Sequence, residues 1–266
     1  MKTKYSLYFL IAAIAANAQA EDLTSADAIV EKANAVAFYQ GDDGRAETRM
    51  KIVDSNGREQ LRQFTILRKD IADGGDQLFY VLFSRPSDVK RTAFLVKKHV
   101  NGEDDRWLYL PSLDLVKRIS AGDKRTSFVG SHFYYEDISG RSLKADKHRL
   151  TETTATHYVI DNTPVNPADV EFNHYKVWID KTSFIPEKAE YYDAQQKPYR
   201  RISAENIQVI DSFPTATRMK VEDLRDGSYT ISDMRFIHYN IDVPVDVFSE
   251  RSLRNPPQQW LNGPKQ

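Results

Sequence analysis

The chain has 266 residues, 41% of them hydrophobic, with 37 Lys and Arg against 38 Asp and Glu and no cysteine. A formal charge of −1 offers no basic field for the phosphates of a nucleic acid, and a mean hydropathy of −0.57 excludes a multi-span helical membrane protein. The absence of cysteine removes disulfides, thiolate metal sites, cysteine nucleophiles and attachment of lipid to a cysteine.

The N-terminus carries Lys2 and Lys4, then an apolar run over 5–16, then Ala18-Gln19-Ala20 before the acidic Glu21-Asp22. Basic residues, a short apolar run and a small-x-small site predict a cleavable secretory signal peptide over 1–20. The run falls short of the roughly 20 apolar residues of a membrane span. With no cysteine to carry a lipid anchor, the expected mature protein is soluble and periplasmic.

One helix is legible. Thr24-Ser25-Ala26-Asp27 predicts a capping box with Thr24 as N-cap, and Ala26, Ile29, Val30, Ala33 and Ala37 form one apolar stripe that ends near Gly41. Beyond it nearly everything reads as strands. Alternation over 47–51, the turn Asp54-Ser55-Asn56-Gly57 and a return over 61–68 predict a hairpin. Residues 77–83 are apolar on both sides of the pleat, so that strand needs cover on both faces. Further strands are predicted over 93–96, 107–110, 149–153, 157–160, 175–180, 186–192, 199–210, 217–224 and 229–239. No linker divides the chain, which predicts one domain over 21–254. The stretch from Asn255, with Pro256-Pro257 and Gly263-Pro264, is expected to be a flexible tail over 255–266 in which Trp260 is able to dock. So many sequential antiparallel strands must curl or close to manage their edges, enclosing either a solid core or a ligand cavity.

Catalytic patterns are weak. His132 and Glu136 are four apart but have no third local ligand. Gly130-Ser131-His132 lacks the second glycine of a nucleophile elbow, and adjacent side chains on a strand diverge. No catalytic residue, metal site or cofactor is expected. The 14 Tyr, 13 Phe and 3 Trp fit an ordinary β core or the lining of an acyl-chain cavity.

The segment 77–138 carries a family likeness. It includes Phe83-Ser-Arg-Pro-Ser-Asp and Trp107-Leu-Tyr-Leu-Pro-Ser-Leu113, then Phe128-Val-Gly130-Ser131-His-Phe-Tyr-Tyr135-Glu136-Asp137-Ile138. Trp178-Ile-Asp-Lys and Pro186-Glu-Lys-Ala-Glu-Tyr-Tyr-Asp193 add to it. The chain resembles the outer membrane lipoprotein-sorting protein-like family, a branch of the LolA/LolB superfamily. The resemblance implies a mainly β (α+β) fold: a strongly curved antiparallel sheet forming a half-open barrel, lidded by an N-terminal helix and short helices. It further implies a periplasmic carrier for a lipid or lipidated protein, with an acyl chain as cargo and an inner-membrane RND (MMPL-type) exporter as partner. It implies glycine where this chain has Arg91, and an acidic residue where it has His132. Phe128, Gly130, Ser131, Tyr135, Glu136 and Asp137 are the family-motif positions, with Gly130 marking either a structural bulge or a ligand gate.

The candidate cavity lining is Phe64, Phe79, Val81, Phe83, Phe94, Val96, Trp107 and Tyr109, with Leu78, Tyr80 and Leu82 on the opposite face. A monomer without nucleic-acid partners is expected. The alternative is a periplasmic accessory module with a solid interior, docking on an envelope transporter.

Overall fold

In the computed structural model, residues 23–263 are described, so the expected signal peptide lies outside them. The first hairpin forms as its turn chemistry dictates: the Asp54 carboxylate accepts the backbone N–H of Asn56 and Arg58 at 2.9 and 3.0 Å, closing the loop between β1 (Asp43–Val53) and β2 (Glu59–Asp70). The chain then meanders through β3 (Gln77–Arg85), β4 (Ala93–Lys98), β5 (Asp105–Leu110) and β6 (Leu115–Arg118). After a long crossover it resumes with β7 (Asp146–Thr153), β8 (His157–Pro164), β9 (His174–Asp180) and β10 (Pro186–Tyr192). It ends with β11 (Pro198–Ile210), β12 (Phe213–Asp223) and β13 (Tyr229–Tyr239).

All thirteen strands join one antiparallel sheet, ordered β6-β5-β4-β3-β2-β1-β13-β12-β11-β10-β9-β8-β7. The first and last strands are therefore neighbours at the centre, and β6 and β7, consecutive in sequence, are the two open edges. The sheet is not closed. Residues 119–145 must travel from one edge to the other, and they do so across the concave face. Phe128, fully buried, fills that face with ring centroids 6.3 Å from Phe64, 5.6 Å from Phe83, 5.4 Å from Phe94 and 5.6 Å from Tyr135. The crossover holds a short helix, α2 (Tyr135–Ser139).

The convex face of β2–β5 is covered by the C-terminal segment. Leu67, Leu78, Tyr80 and Leu95 pack against Val243, Val247, Phe248, Leu253 and Leu261. This is the second cover that the doubly apolar strand β3 requires, and it places Leu78, Tyr80 and Leu82 opposite Phe79, Val81 and Phe83. The cover includes α3 (Glu250–Arg254) and α4 (Gln258–Leu261). The stretch expected as a flexible tail thus packs through residue 263. Trp260 and Leu261 are held because buried Arg45 donates from Nε to the Trp260 carbonyl at 3.2 Å and from Nη2 to the Leu261 carbonyl at 2.6 Å. The Asp43 carboxylate, also buried, accepts from Ile241 and Val243 N–H at 2.7 and 2.8 Å.

The N-terminal helix α1 spans Ala26–Phe38, and its N-cap is Ser25, whose Oγ accepts from Ala28 N–H at 3.3 Å. The cap is one residue later than the pattern suggested, because the hydroxyl of Ser25, not Thr24, reaches the first turn. Ile29 and Ala33 dock on Tyr158, Ile160 and Ile179 of β8 and β9.

Arg91 sits at φ +68, a left-handed conformation that glycine adopts without cost, which gives a physical reason for glycine at this position. Its backbone N–H still donates to Phe83 O at 2.8 Å. Arg91→Gly is expected to stabilise the protein by about 1 kcal/mol through relief of the side-chain clash. A urea unfolding midpoint unchanged or lowered by the substitution would contradict this.

Candidate functional site

Between the concave face and α1 lies a cavity of about 500 Å³. Every strand from β3 round to β7 contributes to its wall, which requires the sheet to wrap around it. Phe64 and Ile66 come from β2, Ala46 and Met50 from β1, Met234 and Ile237 from β13. Ala216 and Met219 come from β12, Ile202 and Ala204 from β11, Val177 and Ile179 from β9. Val30, Ala33, Ala37 and Phe38 of α1 form the lid. The wall is mostly aliphatic, and the volume is within the roughly 300–1,000 Å³ of ligand pockets.

The lid is fastened at both ends. Its first turns are held by the apolar contacts with β8 and β9. Its last turn is clamped by Arg68 on β2, which donates from Nη1 to Phe38 O at 2.6 Å and from Nη2 to Gln40 O and Gly41 O at 2.5 and 2.7 Å. A guanidinium at a helix C-terminus satisfies carbonyls that have no partner within the helix and complements its dipole. Gln77 Nε2 adds a bond to Phe38 O at 2.7 Å. A Cβ on Gly140 would lie 2.6 Å from Phe38 Cζ, and Gly140 has φ +78, so only glycine lets the crossover pass beneath the lid.

Of the residues expected to line the cavity, Phe64 and Phe79 do. Val81, Phe83, Phe94 and Val96 lie on the same face but beneath the crossover, where they make a solid core with Phe128 and Ile119. Trp107 and Tyr109 are on the convex face. The register pairs Phe94 with Leu108, so Leu108 shares its face and the residues on either side point away. Tyr109 is buried in the C-terminal cover, and Trp107 carries the Lys97 ammonium over its ring at 5.7 Å. The interior is therefore half solid and half hollow, a division set by the path of the crossover.

The family-motif residues build that crossover. Phe128 is its anchor. Gly130 has φ +79, with open space where a Cβ would be, so glycine is needed there for conformation and not for room. Buried Ser131 donates from Oγ to Phe128 O at 2.7 Å and closes the turn. His132 points the other way, to Thr230 Oγ1 and Ser228 Oγ, both at 2.8 Å, and burial lowers its pKa. Ser131 and His132 therefore do not face each other, nor do His132 and Glu136 share a site.

Glu136, Asp137 and their partners form a buried ionic network. Arg125 Nη1 donates to Glu136 Oε2 at 2.7 Å, and its Nε and Nη2 grip Glu171 at 2.7 and 2.8 Å. Arg125 lies against the rings of Phe172 and Tyr134, at 4.8 and 5.1 Å. Glu171 is held below the usual carboxylate range by its bonds to Arg125, which outweigh burial. Arg141 makes a bidentate pair with Asp146 at 2.8 and 2.9 Å, and Arg200 reaches Asp137 at 2.5 Å. The network rivets the crossover to β7, β11 and the segment just before β9 and leaves these carboxylates committed. Tyr135 packs its ring on Phe94 at 5.2 Å.

His157, Asp180 and Glu187 bring one potential ligand atom each within 4.8 Å of one another at the end of β8–β10, a grouping with no local spacing to reveal it. His157 Nε2 is already paired with Glu187 at 2.9 Å, and Asp180 Oδ1 accepts from Ser183 N–H at 2.7 Å.

Lys98 is buried to 5% exposure, and its Nζ donates to Ser139 O at 2.6 Å. Burial pushes its pKa down to about 8, against opposing contributions from Asp104, Glu136 and Asp70 and a reinforcing one from Arg106. In the unfolded chain a lysine titrates near 10.4. Between these values the unfolded state holds a proton that the folded state has lost, so stability should rise with pH from about 8 to about 10, by about 2–3 kcal/mol at most. Above about 10 the half-buried phenol of Tyr39, pushed up to about 12, reverses the trend. Lys98→Met should flatten the rise; urea unfolding across this pH range measures it.

The unclosed antiparallel sheet with its few short helices matches the LolA-like fold. A family model described as "Uncharacterized protein" matches residues 75–255. A DUF1329 family protein from Desulfovibrio piger is 27% identical, with a TM-score of 0.78 over 86% of this chain and 97% of its own. A domain described as an outer membrane lipoprotein-sorting protein, from Vibrio parahaemolyticus, is 26% identical, with a TM-score of 0.77 over 86% of this chain and 98% of its own. A LolA superfamily protein from Nitrosomonas europaea shares the fold at 21% identity and a TM-score of 0.67, over 86% of this chain and 99% of its own. Among curated proteins nothing matches. The chain belongs to the family that this family model describes, and its structural neighbours match the outer membrane lipoprotein-sorting protein-like family.

Proposed function

We propose that the protein is a periplasmic carrier that holds an acyl chain, of a free lipid or a lipidated protein, in the lidded cavity for transfer towards the outer membrane. In this reading it receives or delivers cargo at an RND-type exporter of the inner membrane. The observation that carries the reading is the aliphatic cavity between α1 and the concave face. A solid interior, as an accessory module would have, leaves this volume without a purpose. Each buried CH₂ contributes about 0.8 kcal/mol, so about ten of them supply about 8 kcal/mol before the costs of association and ordering are subtracted, and a longer chain supplies more. Among the described residues no helix is long and apolar enough to cross a membrane.

Native mass spectrometry of protein purified from membranes should show co-purified lipid. Ala204 projects from β11 into the cavity. Ala204→Trp should weaken displacement of a fluorescent acyl probe by about tenfold or more, by filling space the chain would occupy. Neither lipid nor probe bound by the wild type, or full binding retained by Ala204→Trp with an unchanged fold, would count against the cavity as the site.

A further inference from the structure

A second cavity, of about 420 Å³, lies on the other side of Glu136, Gly140, Arg141 and Ser142, which line both. Its character is different: its walls carry Lys98, Arg106, Lys124 and Lys144. The two buried cations, Lys98 and Arg106, are short of counter-charge. Among the described residues no carboxylate lies within 4.0 Å of Lys98 Nζ, whose hydrogen-bond partner is the neutral Ser139 carbonyl. Arg106, with its side chain 3% exposed, gives Nη2 to Asp104 at 2.5 Å, while its buried Nε and Nη1 have no hydrogen-bond partner.

The neighbouring acids are already engaged. Glu136 pairs with Arg125 and Arg141, Asp104 with Arg106, and Glu103 with Lys124 at 3.5 Å; Asp169 is exposed on the outer wall. Buried charges normally persist because they are paired, and leaving a buried donor unsatisfied is costly. An ammonium and a half-paired guanidinium facing one polar pocket form an arrangement that an oxyanion neutralises, with two further N–H donors on Lys98 and three on Arg106 without a hydrogen-bond partner among the described residues. The depressed pKa of Lys98 agrees with a local field too weakly negative to offset burial.

We propose that this second cavity binds an oxyanion, a phosphate or a carboxylate, through Lys98 and Arg106. Resting on the carrier reading, the oxyanion is the headgroup of an amphiphile whose chain occupies the adjoining apolar cavity. The division of labour is physical: the aliphatic wall selects for length, and the cationic pocket selects for charge.

The test uses the full mature chain with carbon-13-labelled lysine, followed by NMR at the Lys98 Cε, which Lys98→Met assigns. Inorganic phosphate should move that signal saturably and raise the Lys98 pKa, and Arg106→Gln should weaken this by about tenfold. Arg106→Lys, which keeps the charge, gives a second variant if the glutamine substitution does not fold. Dodecyl phosphate should then displace a neutral acyl probe at least about tenfold better than dodecyl maltoside.

A Lys98 response to phosphate with equal displacement by the two detergents would support a free-oxyanion site and overturn the headgroup assignment. No Lys98 response to either phosphate compound would overturn the site itself. Displacement by dodecyl maltoside reports on the carrier reading separately, so the two failures are distinguishable.

Discussion

Replacing Phe128 by alanine should destabilise the protein by about 3–5 kcal/mol, among the largest effects expected of any single substitution in it. The ring is fully buried, and Phe64, Phe83, Phe94 and Tyr135 surround it with centroids within 6.3 Å. Removing it forfeits the transfer free energy of a phenyl group and leaves a void that a curved sheet cannot easily collapse. Phe128 is also the apolar anchor that keeps the crossover on the concave face. Its loss should therefore loosen the wall of the apolar cavity as well as lower stability. Urea unfolding gives the first effect, and hydrogen exchange at Ser131–Tyr135 amides gives the second. Phe128→Leu, which keeps most of the volume, should cost well under half as much. Equal losses for alanine and leucine would mean that ring packing, not cavity creation, dominates.

The second large effect concerns Arg125. Arg125→Met should cost about 3–5 kcal/mol, because it leaves the buried carboxylate of Glu136 with weaker partners and frees Glu171. Arg141 at 3.3 Å and Lys124 at 3.9 Å are what Glu136 retains. Methionine preserves much of the contact with Phe172 and Tyr191, so the loss reads the charge rather than the stem. The double variant Arg125→Met with Glu136→Gln should recover part of the loss, and the cycle gives the coupling energy. There is a pH signature too. Arg125 holds Glu171 below its ordinary range, so the stability this contributes is present above the unfolded carboxylate pKa and is lost as pH falls through the lower folded value. The wild type should lose stability more steeply than Arg125→Met on acidification below about pH 4.5. Parallel acid profiles for the two would refute this role.

Much of the local structure is legible along the chain. Asp54-Ser55-Asn56-Gly57 and Asp226-Gly227 mark turns that occur where their chemistry demands, and α1 follows its apolar stripe. The doubly apolar strand β3 announced that both its faces are covered. The motif residues Phe128 to Asp137 stood out as a run, although their roles in packing and ion pairing did not. Trp107 and Tyr109 show where the reading stops. Aromatic character suggested the cavity, but the register of β5 against β4 decides the face, and a shift of one residue reverses it. Arg68 was equally opaque: nothing local marks an arginine on β2 as the clamp on a helix thirty residues earlier.

What the sequence by itself determined is the set of short-range outcomes: antiparallel hairpins, one amphipathic helix, and a surplus of apolar strand faces that had to enclose something. Turn geometry and side-chain period act over a few residues, so they can be read there. Only the tertiary structure decided that β1 lies beside β13, that the crossover fills one half of the interior, and that the C-terminal stretch covers the convex face. It also decided that the other half stays hollow beneath α1, with a cationic pocket beside it. Those outcomes depend on pairings between residues up to about two hundred positions apart, such as Asp43 with Val243. Their energy arises only when distant faces meet, and no local pattern records which faces those are.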